Sequence, residues 1–309
     1  MATSDSTRHE HGTPCDDSAG GAVRVYLARH VARLFDAVPG VRAGEDHAVH
    51  DARVATRRVR TALGAFRGVL DPDVTETVRA ELRELGHLLG AARDPVVELR
   101  ALRRHLADEP DELILGPVVR RIEEDRSAAR AGAFDRLRTV LDDDRTLRLL
   151  DGMGALAVEA PPGRRSGADA SFLKKRVRKA WTRMDRALEA CDGLVGADRD
   201  EALHAARKAA RRARYAAEVM VPVAGRPARR SVHRARDVQD ALGAQHDTVL
   251  RRDTLRRVAV EAYLDGENAF TFGRLHALEQ LAGEQAIRAA RRPVSRAQDR
   301  RARSWFEQA

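Results

Sequence analysis

His50-Asp51-Ala52-Arg53-Val54-Ala55-Thr56-Arg57-Arg58-Val59-Arg60 is one of two copies of a pattern in this chain. The second copy is His204-Ala205-Ala206-Arg207-Lys208-Ala209-Ala210-Arg211-Arg212-Ala213-Arg214. A single offset, 204 − 50 = 154, carries the histidine and the arginines at +3, +7, +8 and +10 from one copy onto the other. Placed on a helix at about 100° per residue, the histidine and the +3, +7 and +10 arginines share one side, within an arc of roughly 280° to 360°. Ala52, Ala55, Val59, Leu63 and Phe66 take the opposite side of the first copy, and Ala206, Ala209, Ala213, Ala217 and Met220 that of the second. Each helix is therefore expected to pack through small residues and to present a cationic stripe. Arg58 and Arg212 fall beside the stripe; Val54 stands where the second copy has Lys208.

Charged stripes are commonly solvated helix faces. A solvated face gains from acids at i,i+4, whereas these stripes contain none, and like charges at that spacing repel. An anionic partner would remove that repulsion.

The whole chain leans the same way. Its 309 residues carry 56 Lys+Arg against 47 Asp+Glu, a net charge of +9, which suits nucleic acid, a phosphate polymer or an anionic surface. Aromatic residues are only 4%, which disfavours base stacking by a nucleic-acid binder. No apolar run approaches a membrane span, and no basic-then-apolar leader opens the chain. Cys15 and Cys191 are too few for a disulfide framework or a thiolate zinc site, so a reducing cytoplasm is the expected setting. His9-Glu10-His11 could touch a metal but lies in a stretch without periodicity, and no metal or cofactor is expected. Phosphoryl transfer needs metal-binding carboxylates or a glycine-rich phosphate loop, and neither is present, so no catalytic residue is assigned. Asp142-Asp143-Asp144, the one acid cluster, falls at a helix boundary where caps are the commoner role.

No segment alternates like a strand, and helical periodicity recurs throughout, so the fold class expected is all-α: two pseudo-symmetric antiparallel helical bundles. The divisions are a polar tail over 1–20, a helical half over 21–158, a Pro/Gly-rich linker over 159–169, a second half over 170–287 and a basic tail over 288–309. Helices are expected at Val23–Ala37 (closed by Pro39-Gly40), His47–Leu70 and Val74–Gly90. Leu89-Gly90-Ala91-Ala92-Arg93-Asp94 is answered by Leu242-Gly243-Ala244-Gln245-His246-Asp247, shifted by 153 residues. Each reads as a helix end, with Asp94 and Asp247 as N-caps or as partners that hold a motif arginine.

The paired His-x-x-Arg…Arg-Arg-x-Arg helices, Arg214-Tyr215 and the two Leu-Gly-x-x-x-Asp turns resemble the CHAD domain, the conserved-histidine α-helical domain, over roughly residues 22 to 285. The resemblance implies paired helical bundles whose basic central face binds inorganic polyphosphate, in a family associated with polyphosphate granules. The chain lacks the Glu-x-Glu-x-Lys signature of the triphosphatase domain to which some members are fused, and so looks stand-alone. The candidate ligand-binding residues are His50, Arg53, Arg57, Arg58 and Arg60 in the first copy, and His204, Arg207, Lys208, Arg211, Arg212 and Arg214 in the second. Lys174, Lys175 and Arg178 on the preceding basic helix extend the set. Arginine forks match phosphate oxygens, and the histidines serve either as ligand donors or as helix-orienting hydrogen bonders. A helical protein for nucleic acid or another polyanion is the alternative.

Overall fold

The computed structural model describes residues 18–307. Among these residues the chain forms ten α-helices and no strand. Helix α1, Ala19–Arg42, starts where the Ser18 side chain accepts a hydrogen bond from Gly21 N. It therefore takes in the last residues of the expected tail, of which residues 1–17, with His9-Glu10-His11 and Cys15, lie outside the described region. It also runs through Pro39-Gly40, where closure was expected. Proline so near the end forfeits only one intrahelical bond, while Val41 beyond it is buried and Ala43 N still reaches Pro39 O at 3.0 Å.

Helix α2, Asp46–Ala65, carries the first motif and ends five residues before the expected Leu70. Helix α3, Pro72–Ala107, has Asp71 as N-cap and Pro72 in its first turn. It does not stop at Gly90 and restart at Asp94. The 36-residue helix continues through both and through Pro95, because Leu89, Gly90, Ala92 and Pro95 are all buried. Packing of that face outweighs the local penalties, about 1 kcal/mol for a mid-helix glycine and about 3 for a proline. Helices α4, Val118–Leu141, and α5, Asp144–Val158, complete the first half. Asp143 caps α5 by accepting from Arg145 N at 3.2 Å, the role expected for its acid cluster.

The second half repeats this order as α6, Ser171–Glu189; α7, Gly196–Val219, with the second motif; α8, Val221–Leu264; α9, Phe270–Gln298; and α10, Arg300–Glu307. Helix α8 is kinked once, at Gly225 (φ 57°), just before Pro227. It passes through Gly243 and Asp247 as α3 passes through Gly90 and Asp94, so neither aspartate is an N-cap.

Packing follows the repeat. Helix α1 packs on α2 and α5, and α3 on α2 and α4; α6 packs on α7 and α10, and α8 on α7 and α9. Residues 288–307 of the stretch expected as a basic tail thus supply the end of α9 and the counterpart of α5. Helix α10 buries Ala302 and Phe306, the latter against Trp181 of α6 at 5.4 Å between ring centroids. The halves join where α2 meets α7 and where α8 meets α3 and α4. One hydrophobic cluster runs from Ala19 to Phe306, and a smaller one combines Leu102, Leu106 and Ile122 with Leu255, Val258 and Phe272, so both contain residues of each half. The connecting segment is tied down: Asp71 N donates to Pro161 O, Gly163 N to Val69 O and Ala19 N to Ala168 O. A Cβ on Gly163 would lie 2.6 Å from the carbonyl oxygen of Leu70, so no larger residue fits there.

Candidate functional site

The small-residue faces settle how the stripes lie. Ala52, Ala55, Val59 and Ala62 of α2, and Ala206, Ala209, Ala210 and Ala213 of α7, are all buried, so each helix is drawn in to its alanines and its long cations are left at the surface. Because α2 and α7 touch, the two stripes merge. Arg57 Nε donates to the Tyr215 hydroxyl across the pair at 3.3 Å. Burial pulls the Arg211 guanidinium down to about 9, with Arg57 the next cause and Arg207 and Arg60 adding to it. Burial lowers Arg60 too, helped by Arg57, Arg212, Arg79 and Arg83, and it lowers Arg207, helped by Arg57 and Arg53. Among the described residues, Arg57, Arg60 and Arg211 form no ion pair with any carboxylate. Cations from both halves are held against each other in a partly desolvated place.

The repeated glycine and aspartate belong to this surface. Four residues apart, they share one face of α3 and one of α8. Arg53 lies across Gly90, where a Cβ would sit 3.4 Å from its Cζ, and it pairs with Asp94. Arg207 lies across Gly243, where a Cβ would sit 3.3 Å from its Nε. Asp247 faces Arg207; burial raises its carboxyl and Arg207 opposes that rise. Glycine supplies a bed for the guanidinium in both copies; Asp94 pairs directly with its arginine, whereas Asp247 acts on Arg207 through its charge alone.

The histidines differ between copies. His204 stacks on His246 with ring centroids 4.0 Å apart. Both are pushed down to about 4, first by burial; His246 then lowers His204, and Arg207, Lys208 and Arg211 bear on both. Exposed His50 faces Arg93 instead; burial lowers it first and Arg93 next. Arg93 and His246 are equivalent, each preceding the aspartate of its copy. Sequence reasoning passed over both, although a basic residue before each aspartate was legible. Three atoms here are buried without a partner: Arg93 Nε, Arg93 Nη1 and Arg207 Nε. His204 Nδ1 is a fourth. Arg79 and Arg83 of α3, beside Arg60, were also missed, since nothing in the repeat marks them.

Other candidates turn elsewhere. Arg58 reaches Glu218 at 3.2 Å and Arg214 reaches it at 2.9 Å, while the Tyr26 hydroxyl donates to it at 2.9 Å. Tyr215 lies beneath both guanidinia, at 5.5 Å from Arg58 and 5.3 Å from Arg214. These two arginines, read from the sequence as ligand cations, share the one carboxylate of Glu218 inside the protein. Lys208 and Arg212 are exposed at the rim. Exposed Lys175 lies one residue beyond Lys174, which faces Asp169. Arg178 donates to the carbonyl of Glu307 at 3.4 Å, so Lys174 and Arg178 look toward the linker and α10. No group of three or more His, Cys, Asp or Glu among the described residues could hold a metal ion. Among the described residues no helix is long and apolar enough to cross a membrane.

Comparison with known proteins places this geometry. Residues 25–256 match the CHAD domain model. Uncharacterized proteins from two strains of Mycobacterium tuberculosis are 35% identical over 245 residues, 77% of this chain. The match covers 46% of those proteins, so the chain spans about half the length of the curated relatives. PptA from Streptomyces chartreusis is similar in structure, with a TM-score of 0.74, 21% identity and coverage of 89% of this chain and 99% of that one. The CHAD domain from the plant Ricinus communis is similar with a TM-score of 0.65, 23% identity and coverage of 89% and 92%. The helical order, the paired histidine–arginine helices and the family match together make the chain a member of the CHAD domain family.

Proposed function

We propose that the merged stripes of α2 and α7 bind inorganic polyphosphate. The observation that carries this reading is the meeting of Arg57, Arg60 and Arg211 from two halves with no carboxylate among the described residues to pair with them. A linear polyanion with about one charge per phosphate can lie along such a surface and displace its counterions. Each guanidinium can offer two parallel hydrogen bonds to phosphate oxygens. Membership of a family associated with polyphosphate supports the choice of ligand, and a place at polyphosphate granules in the cytoplasm follows from the same reading. Binding occurs without turnover: the surface offers donors but no metal-holding carboxylates, and no cofactor is invoked.

A competition titration at matched phosphate concentration tests this. Labelled long-chain polyphosphate should be displaced by unlabelled polyphosphate far better than by single-stranded or duplex DNA. Its affinity should fall steeply with salt. DNA competing as well as polyphosphate would replace this reading with a nucleic-acid one, and phosphate release that depends on a stripe residue would make the protein an enzyme.

A further inference from the structure

Away from α2 and α7, a cleft of about 520 Å³ opens between α8, α9 and α10. Arg230, Arg234, Arg296 and Arg301 line it, with Asp299 the one acid among the lining residues. That acid is already committed, because its Oδ1 accepts from Arg301 N at 2.9 Å to start α10. The arginines are weakly compensated. Arg234 meets Asp237 only at 3.8 Å, and Arg230 Nη1 donates to a neutral partner, the backbone oxygen of Arg301, at 3.3 Å. Arg296 and Arg301 form no ion pair with a carboxylate among the described residues. Four guanidinia against Asp299 and the more distant Asp237 leave the cleft with an excess of positive charge.

The frame that holds these arginines is packed against the core. Phe306 is 1% exposed, and Trp305 Nε1 donates to Ser231 Oγ at 2.8 Å. Arg303 makes a two-pronged pair with Asp185 at 2.7 and 2.8 Å. Arg303 thus anchors α10 while its neighbour Arg301 turns into the cleft. Arg296, Asp299 and Arg301 all lie beyond residue 256, past the end of the CHAD domain match.

We infer that this cleft is a second anion site, separate from the α2–α7 surface, for a compact oligophosphate group such as a triphosphate. Its volume falls in the range of small-ligand sites, its excess of positive charge suits a multiply charged anion, and planar guanidinium forks on packed helices suit clustered phosphate oxygens. The group can arrive as a free oligophosphate or as the end of a long polyphosphate chain held elsewhere on the protein.

Calorimetric titration with tripolyphosphate tests the proposal on four proteins: the natural chain, Arg296→Ala/Arg301→Ala, Arg57→Ala/Arg211→Ala, and all four changes together. The natural chain should bind two equivalents, each paired variant one, and the quadruple variant none. Arg296 and Arg301 are exposed, so melting of their variant should stay near that of the natural chain. If Arg296→Ala/Arg301→Ala binds as many equivalents as the natural chain, the cleft is not a site. If that variant loses one equivalent while Arg57→Ala/Arg211→Ala loses none, the cleft stands and the α2–α7 reading fails. Long polyphosphate then separates the two sources. Displacement of tripolyphosphate from the cleft that needs Arg57 and Arg211 marks a chain end reaching over. Displacement that does not need them marks a free oligophosphate site.

Discussion

His204 and His246, stacked at 4.0 Å among Arg207, Lys208 and Arg211, are held neutral well below the usual histidine range. The sign of their linkage follows. With folded values of about 4 against an ordinary 6.5, the unfolded chain binds more protons between those limits, so stability present above pH 6.5 is lost as pH falls toward 4. A bound polyanion offsets the neighbouring cations and lets the imidazoles charge. Polyphosphate affinity should therefore rise as pH falls from 6.5 toward 4, with net proton uptake visible when calorimetry is repeated in buffers of different ionisation heat. His204→Ala/His246→Ala should flatten the profile; an unchanged profile in that variant would remove the histidines from the account. Parts of this site were open to sequence reading. The histidine–arginine spacing marks Arg53, Arg57, Arg60, Arg207 and Arg211, which the structure brings together. Helical projection placed Arg214 in the stripe and Arg58 beside it; Arg214 meets Glu218 one turn along its own helix, but the meeting of Arg58 with the same carboxylate spans 160 residues and no local pattern encodes it.

At the scale of the element, the same contrast between local pattern and distant contact explains the helix boundaries. A cap was readable at Asp143, where side chain and backbone meet within a turn. Breaks at Gly90, Pro95 and Gly243 were over-read, because long helices buried along one face tolerate local penalties that would end an isolated helix. Helix α10 was hidden for the converse reason: its arginine-rich sequence reads as a basic tail, and Ala302, Trp305 and Phe306 commit it to the core. Phe306→Ala empties a site 1% exposed against Trp181. It should destabilise the protein by about 3–5 kcal/mol, seen as a lower urea midpoint. A loss below about 1 kcal/mol would mean that α10 is not part of the folding unit.

At the scale of the whole molecule, the duplication makes sense through the contact of α2 with α7. Neither half alone assembles Arg57, Arg60, Arg207 and Arg211, and the lowering of Arg211 by Arg57 is an interaction between halves. The repeat itself was legible at its offset of 154 residues, but which helices meet was not, since the pairing depends on the alanine faces and on cores shared by both halves. The most direct measurement of this unity is a double-mutant cycle on long-chain polyphosphate binding with Arg57→Ala, Arg211→Ala and the pair. Each single change should weaken binding by about 1.5–3 kcal/mol, as for a charge-assisted contact. The pair should depart from the sum by about 0.5–3 kcal/mol, because removing one arginine relieves the repulsion on the other. Losses that add within about 0.3–0.5 kcal/mol would show two independent stripes and contradict a single site built from both halves.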